Sequence, residues 1–368
     1  MPKRAFAITS IAILILLLLI VFQVYLQTTE SAIAPIAITT SSPENVTIYF
    51  LDVGQGDSIL VKTASKNILI DGGPTDAGNT MVNDLNTYQV SKIDLMVATH
   101  PHADHIGGLI SVLQSNILVQ DIIYNGLNYT STQTFNTWKT LALSHNLTQG
   151  SRGQIYAMSP TINFTILSPT SPTQFTNMNT ESIVMKLQVG NVSVMLTGDA
   201  QYDTEQFLVS SGSNLQSQIL KVGHHGSSTS TSQSFLNAVA PNYAAISCGL
   251  NNQYGHPTQQ TIDILSSNNI ITYGTYAYGT IIFSLNAATA DQTPPSSPPG
   301  SSPSPPPTIK PTSEPTSNPT SSSPSPTMPE LPSLIVFLII IAASTFSIWI
   351  LKRKHVTLGT ASYDRKAR

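Results

Sequence analysis

The chain has 368 residues, 40% of them hydrophobic and 10% charged, with a formal net charge of −3. That balance opposes unaided binding of polyanions, and a single cysteine, Cys248, excludes an internal disulfide, a zinc ribbon and a redox pair. A metal centre in this chain has to be made from His and Asp.

In chain order, Ala5 to Leu26 form a nearly uncharged apolar stretch behind Lys3 and Arg4, long enough to cross a bilayer. Residues 1–30 are expected to be a signal anchor, or a signal peptide removed near Ala32-Ile33-Ala34. A folded domain is expected over 44–291, where 7 Lys and Arg face 15 Asp and Glu. Thr47 to Val53, Ser58 to Thr63 and Asn67 to Ile70 read as strands of a β-meander, joined by Gly54-Gln55-Gly56-Asp57 and Ala64-Ser65-Lys66. A helical pattern over Thr80 to Gln89 leads to a buried strand, Ile93 to Thr99. Further helices are expected from Leu109 to Leu113 and from Thr134 to Leu147. Ile183 to Val189 and Val192 to Thr197 form a hairpin about Gly190-Asn191, followed by a helix from Thr204 to Val209. Strands near Ile219 to Val222, Tyr243 to Ile246, Ile271 to Tyr273 and Thr280 to Leu285 then alternate with helices near Gln233 to Val239 and Gln259 to Leu265. Such mixing predicts stacked layers of sheet and helix.

From 292 to 330 the chain is a Pro, Ser and Thr run; the stretch to Pro332 carries 15 of the 25 prolines, a composition that buries nothing and predicts a stalk. Leu331 to Leu351 is a second membrane-length apolar segment, and 352–368 a basic tail opening with Lys352-Arg353-Lys354. The Lys and Arg bias puts both chain ends in the cytoplasm and the domain outside the cell.

The densest chemistry lies in Thr99-His100-Pro101-His102-Ala103-Asp104-His105-Ile106-Gly107-Gly108, which packs three imidazoles and a carboxylate into a strand-to-helix loop. Imidazoles suit zinc and its neighbours, and the adjacent carboxylate lets a second cation bind nearby. Thr197-Gly198-Asp199 and Lys221-Val222-Gly223-His224-His225-Gly226-Ser227 each follow an expected strand. Each is weak alone, but in this order the three sets form a strong metal-ligand pattern.

The chain here resembles the metallo-β-lactamase-fold hydrolases, and within them the extracellular-type domain of the DNA-uptake protein family ComEC. The resemblance rests on Phe50-Leu51-Asp52-Val53-Gly54-Gln55-Gly56-Asp57-Ser58, Leu69-Ile70-Asp71-Gly72-Gly73, the His100 motif, Leu196-Thr197-Gly198-Asp199, the His224 motif and Tyr254-Gly255-His256-Pro257. It implies an α/β fold, a four-layer αββα sandwich, here flanked by the two apolar segments. By motif position it implies His100 and His102 on a first metal, Asp104, His105 and His224 on a second, and Asp199 bridging them. The family's third histidine for the first metal is missing, since none occurs between His145 and His224 and His145 reads as a surface residue. A water or a side chain from Asn179 to Ser182 is expected in its place.

One or two divalent ions are implied, zinc foremost and manganese as the alternative. Asp104 is expected to orient the attacking water and His256 to protonate a leaving oxygen or bind a phosphate. Asp71 and Asp57 are candidates to accept the outward N–H of a ligating imidazole. Lys221, His225, Ser227 and Ser228 are candidates to meet substrate, Lys221 equally well reading as a solvated strand residue.

The leading expectation is a membrane-tethered extracellular phosphodiesterase or nuclease, joined to the membrane by one or two segments and acting on a phosphodiester or other small anionic substrate. Hydrolysis of a lactam, lactone or thioester, and a non-catalytic binding domain of a surface complex, are the alternatives. The acidic balance argues against nucleic acid unless a local basic groove exists.

Overall fold

Side chains that alternate along the strands are buried against two different layers, and this alternation sets the architecture. In a computed structural model of the chain, the described residues are Leu19, 44–170, 177–287 and the backbone of 292–296. The expected leader, the remainder of the stalk, the second apolar segment and the basic tail lie outside them. Among the described residues no helix is long and apolar enough to cross a membrane.

The first sheet comprises β1 (Asn45–Phe50), β2 (Ile59–Lys62), β3 (Asn67–Ile70), β4 (Lys92–Ala98), β5 (Leu118–Tyr124), β6 (Asn146–Gln149), β14 (Ile281–Asn286) and β15 (Gln292–Ser296). The second comprises β7 (Ile155–Ala157), β8 (Ile162–Ser168), β9 (Val184–Val189), β10 (Val192–Leu196), β11 (Ile219–Lys221), β12 (Tyr243–Ile246) and β13 (Ile271–Gly274). Their orders are β15-β14-β1-β2-β3-β4-β5-β6 and β13-β12-β11-β10-β9-β8-β7. The antiparallel meander β1-β2-β3 and the β9–β10 hairpin fall where the sequence places them.

Ile59, Val61, Ile68, Ile70, Val192, Val194 and Leu196 fill one core with Phe164, Leu187 and Phe283, between the two sheets. Leu60 and Leu69, one residue out of phase, pack against α1 (Gly78–Thr87), α2 (Ala103–Gln114) and α3 (Gln133–Ala142) through Met81, Leu109 and Trp138. Met195 and Leu220 likewise meet α4 (Tyr202–Ser210), α5 (Gln233–Val239) and α6 (Gln259–Ser267) through Leu208, Leu236 and Leu265. The layers run helix, sheet, sheet, helix. Burying each of these Leu, Ile and Phe side chains contributes about 1.5–3 kcal/mol.

Two expectations shift. The helix expected over Thr134 to Leu147 ends at Ala142, and Asn146–Gln149 instead adds an edge strand parallel to β5. That strand is largely exposed and polar, so it carries no apolar period to read. The sheet also runs past Asp291, because Gln292–Ser296 pairs antiparallel with β14.

Candidate metal centre

Three parallel strand ends bring the motifs together. Thr99-His100 leaves the end of β4, Gly198-Asp199 the end of β10, and Gly223-His224-His225 the end of β11, the usual location of ligands in parallel sheets. His102 sits at the N-cap of α2 and Asp104 in its first turn, where the helix dipole favours a carboxylate. Gly56 lets a neighbouring loop close on this turn, since a Cβ there would lie 2.2 Å from the Asp104 carbonyl oxygen. Asp71, His224 and His225 are non-glycine residues held at φ of 57°, 49° and 56°. Left-handed backbone costs on the order of 1–3 kcal/mol per residue and collects at functional sites.

His105, Asp199 and His225 converge in a fully buried group. His105 Nε2 lies 3.3 Å from His225 Nε2 and 3.2 Å from Asp199 Oδ1, and His225 Nε2 lies 3.4 Å from the same oxygen. Asp104 Oδ2 is 3.3 Å from His225 Nε2. The outer nitrogens are committed elsewhere. His105 Nδ1 meets Asp71 Oδ2 at 2.7 Å, and His225 Nδ1 meets the Ser247 carbonyl at 2.9 Å, with Asp57 Oδ1 at 3.1 Å. A carbonyl and a carboxylate only accept, so both Nδ1 atoms carry protons, and each ring when neutral turns its Nε2 lone pair inward. Asp199 Oδ1 is buried with no hydrogen bond of acceptable geometry. Three electron-pair donors facing one point repel each other unless positive charge sits among them.

The electrostatics agree. Burial opposes charge on His105 and His225, yet Asp199, aided by Asp71 and by Asp57, holds both imidazoles well above 6.5. Burial likewise opposes charge on Asp199, and His225 and His105 overcome it to hold the carboxylate well below its ordinary range. The spot takes up positive charge, either as protons or as a divalent cation, and its two imidazoles and two carboxylates suit zinc or manganese.

His100, His102 and Asp199 form a second, adjoining group. His100 Nε2 is 3.0 Å from His102 Nδ1 and 3.7 Å from Asp199 Oδ2. Burial, then the charge of His105, pushes His100 well below 6.5; burial also lowers His102. Both are neutral near pH 7 and able to ligate. Asp199 thus turns one oxygen to each group.

The expected ligand His224 does not join the buried group. His225 takes that position, while His224 Nε2 lies 3.7 Å from the other Asp199 oxygen and 3.2 Å from Asn179 Nδ2. Its Nδ1 contacts Thr229 Oγ1 and Gln201 Nε2 at 3.0 and 3.3 Å. Adjacent residues in a left-handed turn direct their side chains apart, and spacing alone does not tell which turns inward.

Lys221 is not available to substrate. It is fully buried, pairs with Asp57 Oδ2 at 2.5 Å and donates to the Gly198 carbonyl at 3.2 Å. Burial would raise the Asp57 carboxyl, but Lys221 and then His225 bring it below the ordinary value. Lys221 therefore ties Asp57, the residue before Asp199 and the outer face of His225 together. Ser227 is also occupied: its hydroxyl contacts Thr229 Oγ1 at 3.1 Å and accepts the Thr229 N–H. Ser228 uses its carbonyl to hold Tyr202.

His256 packs beside the site, edge-on to the His224 ring at 5.6 Å and stacked on that of His225 at 6.4 Å. Burial and those two histidines lower it to about 4, so it is neutral near pH 7 and unsuited to deliver a proton from an imidazolium. His145 is held at the Val119 carbonyl, as a packing residue. Beside Asp104 opens a cavity of about 650 Å³ lined by Asp52, Gln55, Asp76, Thr80 and Tyr254. Among the described residues that line it, none is Lys or Arg.

Sequence reading missed Ser247, which acts through a backbone carbonyl, and Thr99. The Thr99 N–H and hydroxyl donate to Asp71 at 2.8 and 2.6 Å and fix the carboxylate on His105. A threonine preceding the ligand loop was the one visible signal.

Residues 51–250 match the metallo-beta-lactamase superfamily. The chain is 34% identical to competence protein ComA of Neisseria gonorrhoeae over 252 residues, covering 66% of this chain and 33% of that protein. It is 28% identical to ComE operon protein 3 of Bacillus subtilis over 256 residues, covering 64% and 32%. The chain thus spans about a third of the length of these relatives. Among solved structures, the metallo-beta-lactamase fold protein YhfI of Bacillus subtilis is 13% identical with a TM-score of 0.40, covering 63% of this chain and 96% of that one. With more than half of its length matched and its ligand motifs gathered at the strand ends, the chain belongs to the metallo-β-lactamase superfamily and carries a domain of the ComEC type.

Proposed function

We propose that this domain is a metal-dependent hydrolase whose bond of choice is the phosphodiester, and that it works outside the cell, tethered to the membrane by the apolar segments. The observation that carries the hydrolase reading is the inward convergence of His105 Nε2, His225 Nε2 and Asp199 Oδ1 on one buried point. His105, His225 and Asp199, with Asp104 3.3 Å from His225 Nε2, would hold one divalent cation, and His100, His102 and Asp199 a second. Cations held there supply Lewis acidity, which moves the pKa of water toward neutrality and stabilises charge developing on a phosphoryl oxygen.

The chain's own groups do the rest. Asp104 is only partly buried and faces the cavity, so it can accept a proton from an attacking water. Its carboxyl is strongly depressed: burial opposes this, but hydrogen bonding from His225 and the charge of His105 prevail, keeping it an acceptor at neutral pH. Neutral His256, packed against His224 and His225, orients a substrate oxygen through its ring N–H. Asp71, Thr99, Asp57 and Lys221 hold the imidazoles in place.

Relatives named for competence and one named for recombination favour a phosphodiester over a lactam. The lack of Lys and Arg among the described residues lining the cavity favours a small substrate or a strand end over a long polyanion. The test is a substrate panel on the purified full chain, with zinc and with manganese: bis(p-nitrophenyl) phosphate, a dinucleotide, a lactam, a lactone and a thioester. Turnover of the phosphodiesters alone supports the reading; turnover of lactam, lactone or thioester instead moves the domain to another hydrolase class, and bound metal with no turnover to a binding role.

A further inference from the structure

The first metal position has two imidazoles and half of a shared carboxylate, one donor short of the second. We infer that Asn179 supplies the missing donor, its side-chain Oδ1 standing where the superfamily pattern calls for a third histidine; this rests on the metal-centre reading above.

Asn179 is 8% exposed, and its Oδ1 is buried without a hydrogen-bond partner. A buried amide oxygen left unpaired costs on the order of 1–3 kcal/mol, so it calls for a partner. The amide is oriented by its other end, since Nδ2 contacts His224 Nε2 at 3.2 Å, and that same ring nitrogen lies 3.7 Å from Asp199 Oδ2. Asn179 is therefore held, through His224, beside the Asp199 oxygen that faces the His100, His102 and Asp199 group.

The neighbouring side chains are committed. The Thr180 hydroxyl donates to the Asn177 carbonyl at 2.7 Å. The Ser182 hydroxyl accepts the Asp199 N–H at 3.2 Å and so positions the bridging carboxylate. Glu181 has interactions of its own. The segment itself is fixed, because the Asn179 N–H binds Asn177 Oδ1 and the Ser182 N–H binds the Asn179 carbonyl.

With Asn179 included, each position has two nitrogen and two oxygen donors. An amide oxygen is a harder and weaker donor than imidazole, which moves the first position toward manganese and toward faster exchange.

The test is manganese and zinc titration of the full chain by calorimetry, with electron paramagnetic resonance of the manganese form. Wild type is expected to bind two ions and show an exchange-coupled manganese pair. Asn179→Ala is expected to keep one tight ion, weaken the other by tenfold or more, and give the six-line signal of an isolated ion. Asn179→Asp, which preserves shape and adds charge, is expected to tighten the same ion about tenfold, and it keeps the test readable if the alanine variant does not fold. His224→Ala is expected to retain two ions. Two ions with unchanged affinity in both Asn179 variants, or loss of an ion in His224→Ala alone, overturns the assignment. A wild-type chain that binds no ion overturns the metal-centre reading beneath it.

Discussion

The two halves of the centre share Asp199 but are built differently. The half around His105 and His225 is sealed, with every outer nitrogen bound to a carboxylate or a carbonyl and Asp57 paired with buried Lys221. The half around His100 and His102 is looser: His102 and His224 are partly exposed, and their neighbours are neutral amides and hydroxyls. One half is positioned by charge, the other by hydrogen bonds alone. Ionic supports concentrate affinity and rigidity in the first of these, and the second is free to vary its ligand and exchange its ion.

The largest expected effect comes from removing what the halves share. Asp199→Ala takes one donor from each position and leaves His105 and His225 facing each other without the carboxylate they share. Activity is expected to fall on the order of 10³-fold, the scale of losing a principal electrostatic stabiliser. Both ions should be lost with it. Retention of either ion by elemental analysis would show that the halves are independent.

Next in size is Lys221→Met. This leaves Asp57 as a buried carboxylate without its cation, a change that costs about 3–5 kcal/mol. Urea unfolding of the metal-free chain reads it directly. An Asp57→Asn, Lys221→Met double variant is expected to recover much of the loss, since no lone charge remains. Failure to recover would assign Lys221 to packing rather than to charge.

Much of this was legible in the sequence. The meander, the hairpin and the strands ending at Ala98, Leu196 and Lys221 follow from short apolar runs, and the four layers from the family resemblance of the motifs at their ends. The edge strands β6 and β7 were not legible, because exposed strands need no apolar face. At the centre, residue types announced the ligands but not their direction. His224 and His225 are equivalent as letters; a left-handed turn separates them, and nothing local encodes which imidazole is sealed. Lys221 reads as a solvated strand residue because its partner lies 164 positions earlier in the chain, at Asp57.

Asp71→Asn is smaller in effect and specific to one half. The amide can still accept from His105 Nδ1 but no longer does so with charge, which typically weakens a metal site 10–100-fold. The second ion should loosen by that factor while the first holds. Equal weakening of both would mean that Thr99, bound to the same carboxylate and adjacent to His100, couples the halves.

The smallest effect is one of pH, and it separates the halves by sign. His105 and His225 are held above 6.5 in the metal-free chain, so the stability they contribute is fully present below pH 6.5 and is lost as pH rises through their raised values. His100, His102 and His224 are lowered, chiefly by burial, so they contribute in the opposite sense: stability falls as pH drops below 6.5 and the unfolded chain takes up protons first. Each proton is worth about 1.4 kcal/mol per pH unit within its window. A metal entering the sealed half must displace protons, whereas one entering the looser half meets neutral rings. Calorimetric titration at pH 7 in buffers of different ionisation enthalpy should show one to two protons released with the ion that Asp71→Asn weakens and none with the other. Equal proton release from both positions would erase the distinction between a half held by charge and a half held by hydrogen bonds.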